Sequence, residues 1–296
     1  MYTVTATTPT WSNFWNYFHL NFKNLGLKKL ISTHYNSEGS SYIKTYEGGA
    51  DADTSIGNIT PLKSNGDFRS EECIEVLKSC DIVVTNPPFS LFREYVAQLM
   101  KYEKTFLVIG NQNAILYKEI FPYIKNDKIR LGIERPKNFN TPDGCTKKIL
   151  GLTRWFTNFK TTIEHKRLIL TKKYNPEDYP RYDNYDAINV NKTKDIPYDY
   201  SGVMGVPVSF FDKYNPEQFE ILGQTCGSYE FNPDANPTKR YENTIMHNKD
   251  GSTTSGGKAN DCACIVADNP SGVYYTADNS PYKLEALYRR ILIRKK

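Results

Sequence analysis

The chain has 296 residues, 39% of them hydrophobic, and a formal net charge of +5. That length holds one large domain or two ordinary ones, and the apolar fraction is enough for a packed core. No run of about 18 apolar residues occurs, which excludes a membrane-spanning helix, and MYTVTATTPTWSNF lacks the basic start and apolar stretch of a secretory leader.

In chain order, Ser12–Phe22 carries Phe14, Tyr17 and Phe18 at helical spacing behind Ser12, whose hydroxyl suits an N-cap. Leu27–Thr33 reads as a strand. Residues 37–66 are rich in Gly, Ser, Asp and Asn, and read as loop with one short strand near Thr60–Lys63. Ser70–Leu77 predicts a helix, with Glu71 and Glu72 at its positive end. A strand over Asp81–Thr85 and a helix over Leu91–Lys101 follow, with Leu91, Tyr95 and Leu99 on one helix face. Then come a strand over Thr105–Gly110 and a helix over Ala114–Ile124. This alternation predicts an α/β fold with a mostly parallel sheet covered on both faces.

Beyond Asn138 the pattern changes. Ile149–Thr157 and Arg167–Thr171 read as antiparallel strands, Asn243–Asn260 as a mobile Gly/Ser/Thr-rich loop, and Leu284–Lys296 as a basic amphipathic strand or helix. A boundary near Lys173 divides the chain into residues 1–173, catalytic, and residues 174–296, accessory. The six cysteines (Cys73, Cys80, Cys145, Cys226, Cys262, Cys264) have no zinc-like spacing and read as reduced cytosolic thiols. The 22 tyrosines, with a pI near 8.7, suit stacking on bases beside phosphate-binding cations, and equally suit a half-buried surface.

The chemistry concentrates in DIVVTNPPFSLF, Asp81 to Phe92. In a doubly wound sheet, ligands sit beyond the carboxyl ends of the strands, so Asn86, Pro87, Pro88 and Phe89 should line a cleft. An exocyclic amine such as adenine N6 is a poor nucleophile because its lone pair is delocalised. The Asn86 oxygen and the Pro87 carbonyl can each accept one of its hydrogens and draw it towards tetrahedral geometry. The prolines stiffen the backbone that aims this carbonyl. Phe89 offers a stacking face worth about 1–3 kcal/mol, comparable to the cost of extracting a base from a duplex. With a sulfonium methyl donor, neither metal nor general base is required.

Asn-Pro-Pro-Phe resembles motif IV of the amino-methyltransferases in a DNA-adenine form, and Gly66-Asp67-Phe68 resembles motif III. Asp67 taken alone also reads as a simple helix N-cap. Longer stretches, among them NLGLKKLIST, GDFRSEECIEVLK, RWFTNF, YDNYDAINV and MGVPVSFFDKYNPEQFEILG, are similar to the EcoRI-type adenine-specific DNA methyltransferases. The resemblance covers most of residues 12–296. It implies a Rossmann-like transferase, S-adenosylmethionine as donor, and N6-methylation of a flipped adenine in double-stranded DNA by a monomer. It assigns donor contacts to Asp67, Phe68 and Asn86: the Asp67 carboxylate accepts the donor's adenine amine, and the Phe68 ring packs on that adenine. It suggests GAATTC or a related site. Asn111 and Asn113 fall at the cleft rim, with Arg154 and Trp155 packing at a sheet edge. Lys172, Lys173, Arg181, Lys239 and Arg240 are candidate phosphate contacts.

The N-terminus departs from that family. Where it has a strand ending Val-Tyr-Cys-Asn-Cys-Asp-Asp-Pro, motif I, this chain has MYTVTATTP. One coding sequence for Met1–Pro9 spells the family motif in a shifted register, so Met1–Thr8 reads as an out-of-frame translation. The expectation is a sheet missing its first, central strand, with unpaired neighbours and weak donor binding. Two other functions compete: a catalytically impaired DNA-binding remnant, and a methyltransferase for protein glutamine amides. Phe89 and the basic balance disfavour the second.

Overall fold

β-branched and aromatic residues set the central strands. Val83, Val84 and Thr85 of Ile82–Thr85 are buried, and its neighbour Thr105–Asn111 is nearly as apolar, as expected of strands covered on both faces. The computed structural model describes residues 2–5, 12–132, 134–136, 138–140, 145–148, 153–159, 166–225 and 235–296. Two compact units divide between Lys160 and Thr161.

In the first unit, β1 (Tyr2–Thr5), α1 (Asn13–Leu20), β2 (Leu30–His34), β3 (Tyr42–Tyr46), β4 (Asn58–Pro61), α2 (Glu71–Lys78), β5 (Ile82–Thr85), α3 (Phe92–Lys101), β6 (Thr105–Asn111), α4 (Phe121–Lys125), β7 (Arg130–Leu131), β8 (Asn138–Asn140), β9 (Thr146–Lys148) and β10 (Thr153–Thr157) follow in order. The main sheet runs β4-β3-β2-β1-β5-β6-β10-β7. Strands β2, β1, β5 and β6 are mutually parallel and the outer pairings are antiparallel, so the sheet is mixed, with a parallel centre, rather than mostly parallel as expected. Helices cover both faces. Successive strand residues point oppositely: Trp155 meets Phe14 of α1 at 6.2 Å, while Phe156 meets Phe92 of α3 at 5.0 Å. Ser12 and Ser70 cap α1 and α2 through their hydroxyls.

Several expectations are corrected. The sheet does not lack its central strand: Tyr2–Thr5 fills that place, in register with Ile31–His34 on one side and with Val83 on the other. Tyr-Thr-Val-Thr has the β-branched and aromatic content that a central strand needs, whatever loop chemistry follows. Residues 37–66 hold two strands, not one. The expected helix over Ala114–Ile124 is split into a 3₁₀ turn, Gln112–Leu116, and α4, because Pro122 lacks an N–H and is placed in a first helical turn. Arg167–Thr171 forms no strand; β10 pairs with β6, and β7 rather than Trp155 makes the edge. Residues 149–152 lie outside the described ones.

The second unit holds β11 (Ile188–Asn189), β12 (Met204–Pro207), β13 (Phe219–Gln224), β14 (Ile245–His247), β15 (Thr253–Ser255), α5 (Lys258–Asp261), β16 (Cys264–Val266), β17 (Tyr274–Ala277), β18 (Ser280–Ala286) and β19 (Arg290–Lys295). Two sheets result, ordered β11-β12-β19-β13 and β15-β14-β17-β18-β16. The basic C-terminus is thus a strand, with Ile291, Leu292 and Ile293 all buried because β19 is central. The expected loop over Asn243–Asn260 is a hairpin followed by α5. Among the described residues no helix is long and apolar enough to cross a membrane.

The α3 core side contains Tyr95, fully enclosed, with a hydroxyl that has no hydrogen-bond partner among the described residues. Burial pushes that phenol's pKa up. Removing an unsatisfied buried hydroxyl recovers its desolvation cost, so Tyr95→Phe should raise unfolding stability by about 1 kcal/mol. Urea denaturation monitored by circular dichroism measures this.

Candidate active site

Strand order locates the site. β1 is followed by β2 on one side and has β5 on its other, so the chain changes direction between β1 and β5. In open α/β sheets the ligand crevice lies at such a switch point, beyond the carboxyl ends. Asn86 directly follows β5 there, and its side chain is exposed.

Pro87 and Pro88 have no N–H, so the β5 ladder cannot continue past Thr85. Pro87 is buried; Pro88 is exposed, and its carbonyl accepts the Leu91 N–H at 3.0 Å, opening the 3₁₀ turn Phe89–Leu91 that leads into α3. Phe89 presents 42% of its surface to solvent although it is a large ring. Among the described residues nothing hydrogen-bonds the Asn86 side chain or the Pro87 carbonyl. Two acceptors and an open ring face therefore stand together at the end of a rigid strand.

Asp67 reaches the same edge of the sheet by a different route. Gly66 has φ of 78°, and a Cβ there would lie 2.3 Å from the carbonyl oxygen of His34, the last residue of β2. Only glycine lets the loop press against that strand end. Asp67 follows at once and is half-buried. Its Oδ1 accepts the Arg69 backbone N–H at 2.8 Å and Nε at 2.9 Å, and its Oδ2 accepts Nη2 at 2.7 Å. The Arg69 guanidinium holds the Asp67 carboxyl below the usual range, against a smaller opposing effect of burial. Arg69 Nη1 also donates to Glu94 Oε2 of α3 at 2.9 Å.

Phe68 is buried edge-on against Tyr95, with ring centroids 4.9 Å apart, and Gln98 Nε2 donates to the Phe68 carbonyl at 2.9 Å. The Gly66–Phe68 loop is thus docked on the helix that follows Asn-Pro-Pro-Phe. Sequence reasoning named Asp67, Phe68 and Asn86–Phe89 but missed Arg69 and Glu94, which tie the two segments together. The Asp-x-Arg spacing was the available signal.

Other expected residues have structural partners. The Asn111 side chain accepts the Asn113 N–H at 2.8 Å and caps the turn after β6. Arg154 is buried in β10. Arg181 pairs with Asp186, and Lys239 with Asp183 at 2.6 Å. A hollow lined by Met100, Lys104, Tyr123, Asp127 and Arg130 lies by the amino end of β6 and includes none of the site residues.

The first unit is thus an α/β fold whose sheet, parallel at its centre and covered on both faces, carries a proline-stiffened amide at its switch point. The family model "Adenine-specific methyltransferase EcoRI" matches residues 4–296. The chain is 46% identical to Type II methyltransferase M.EcoRI of Escherichia coli, over 81% of this chain and 83% of that one. It is 41% identical to Type II methyltransferase M.MgeORF184P of Mycoplasma genitalium and 39% identical to Type II methyltransferase M.MpnI of Mycoplasma pneumoniae, each over 74% of this chain and 73% of the relative. No solved structure matches. The chain belongs to the EcoRI family of adenine-specific methyltransferases.

Gly66→Ala forces a side chain into the His34 carbonyl at a φ that L residues avoid, which should displace Asp67. The expected result is a lowered melting temperature, checked by thermal melting.

Proposed function

We propose that this chain is a site-specific type II DNA methyltransferase that modifies adenine N6 in double-stranded DNA, using S-adenosylmethionine in a Rossmann-like donor site. The observation that carries this is the unpartnered acceptor pair, Asn86 and the Pro87 carbonyl, at the carboxyl end of β5. The family's adenine specificity supports an amino-purine over a protein amide.

The donor, when bound, supplies an electrophilic methyl on a positive sulfur. Asp67 is placed to hold the donor's adenine amine: Oδ2 accepts one bond from Arg69 and keeps acceptor capacity to spare. Phe68 backs that loop from the core side rather than offering a free face, so its contribution is to fix Asp67. At the substrate end, the Asn86 oxygen and the Pro87 carbonyl receive the two N6 hydrogens of a flipped adenine and localise the nitrogen lone pair. Phe89 stacks on the purine and offsets part of the cost of extrusion. The prolines keep both acceptors in place before substrate arrives, so little reorganisation is needed at the moment of transfer.

Asn86→Ala should lower methyl transfer to duplex DNA by at least about 100-fold, the scale for losing one preorganised hydrogen-bonding group, while duplex affinity stays near wild type. Tritium transfer and gel-shift titration separate the two. A variant that methylates normally contradicts the assignment.

Asp67→Asn should weaken donor binding roughly 10- to 100-fold through loss of a charge-assisted bond. The Asp67 carboxyl titrates below its unfolded value. Its contribution to stability and donor binding is therefore present above the unfolded pKa, near 4, and is lost as pH falls through the lowered folded value. Titration of donor binding from neutral to acidic pH should show no loss until below about 4. Micromolar donor binding by the chain at neutral pH would support this donor site and overturn the expectation of weak donor binding drawn from the N-terminal segment.

A further inference from the structure

The segment over Asn243–Asn260 looks like loop by composition, yet it is built. Ile245–His247 and Thr253–Ser255 form an antiparallel ribbon, with Ile245 opposite Ser255 and His247 opposite Thr253. Its tip is closed by Asn248 N–H to the Ser252 carbonyl at 2.9 Å, and Asp250 Oδ1 accepts from the Ser252 N–H and hydroxyl at 2.9 and 2.6 Å. β14 is anchored on β17, and Met246 and Tyr275 turn towards a buried cluster with Tyr241, Cys264 and Leu284.

The opposite face is open. There His247 stacks flat on Tyr274, with centroids 4.4 Å apart and planes 1° from parallel, and its Nε2 lies 3.0 Å from the Thr276 hydroxyl. Lys283 Nζ sits 5.4 Å from the centre of the same Tyr274 ring. β15 is an edge strand whose three side chains, Thr253, Thr254 and Ser255, are all exposed hydroxyls. A polar edge with no charge, proline or cover is a pairing liability unless something else occupies it.

We infer that the Ile245–Ser255 ribbon is a base-reading element that enters the DNA major groove, an inference that rests on duplex DNA being the substrate. A two-stranded ribbon fits that groove, and short hydroxyls both donate to and accept from base edges. Cations for phosphate contact stand beside it: Lys249 at the tip and Lys283 over the Tyr274 ring, while the carboxylates of Asp250 and Asp278 are held by hydrogen bonds from Ser252 and from Asn243 at 2.7 Å. Glu285 of β18 lies further off, opposite Ile265 of β16. A protein partner would want a cluster of open apolar anchors at the centre of the face; there Ile245 is exposed and the Tyr274 ring is already stacked on His247.

The test uses the full chain and a library of duplexes randomised around one adenine, with methylation read by sequencing. The double variant Thr253→Ala/Ser255→Ala should shrink the kcat/KM gap between the preferred duplex and single mismatches by roughly 5- to 150-fold, with donor affinity unchanged. Lys249→Ala should instead weaken all duplexes alike and reduce the salt slope of binding by about 1. If the double variant melts early, His247→Ala and Lys249→Ala carry the test, since selectivity and salt slope are read separately from fold. A parent chain that methylates selectively, with variants of unaltered selectivity and salt slope, overturns the ribbon alone. A parent that methylates no duplex overturns the substrate reading with it.

Discussion

The docking of the Gly66–Arg69 loop on α3 ties the Asp67 carboxylate to the helix that follows the Asn86 amide at the end of β5. Three contacts make it: Phe68 against Tyr95, Gln98 to the Phe68 carbonyl, and Arg69 bridging Asp67 to Glu94. Their roles differ in size. Burying the Phe68 ring contributes about 1.5–3 kcal/mol. The Arg69 side chain is half exposed, and a solvated ion pair of this kind is worth roughly 0–1 kcal/mol. Energy therefore comes from the ring, while the ion pairs set orientation. Because α3 is also the direct continuation of Asn-Pro-Pro-Phe, a movement of either loop is felt by the other through one short helix.

The N-terminal strand shows how separable scaffold and chemistry are. A central parallel strand has to present backbone donors and acceptors on both edges and bury its side chains on both faces. Tyr2–Thr5 meets the backbone demand, pairing along its length with β2 and touching β5 at Tyr2. Nothing in that demand specifies the acids of a donor-binding loop. A segment can thus hold the sheet together whatever loop chemistry follows it.

The sequence disclosed what local pattern determines and hid what tertiary context reverses. Asp81–Thr85, the helix behind Pro88 and the Ser12 and Ser70 caps are legible because apolar runs, prolines and hydroxyls act within a few residues. β3 is not: in Tyr42-Ile43-Lys44-Thr45-Tyr46 the lysine points into the core side. Its amine donates to the Thr54 and Ser55 carbonyls and lies 4.6 Å from the Trp15 ring. A buried Lys44 breaks the polar–apolar alternation by which a strand is recognised. β15 is hidden for the opposite reason, since its three hydroxyl residues are exposed and carry no alternation. Arg69 was overlooked because its role depends on Glu94, distant in sequence and brought near only by folding.

The two halves of the site are prepared in opposite ways. Asp67 is already paired with Arg69, which holds its carboxyl below the usual range, so the donor contact proposed for it would meet a carboxylate of settled direction. Among the described residues Asn86 and the Pro87 carbonyl have no partner to give up, so the adenine contacts proposed for them would break no hydrogen bond there. Exposed, their waiting cost is small because water satisfies them; buried without partners they would cost on the order of 1–3 kcal/mol each. A neutral amide also avoids presenting a second anion near the phosphates, where an unpaired carboxylate would oppose the approach of DNA. The acceptors proposed for the substrate are left open, and the one proposed for the donor is kept paired.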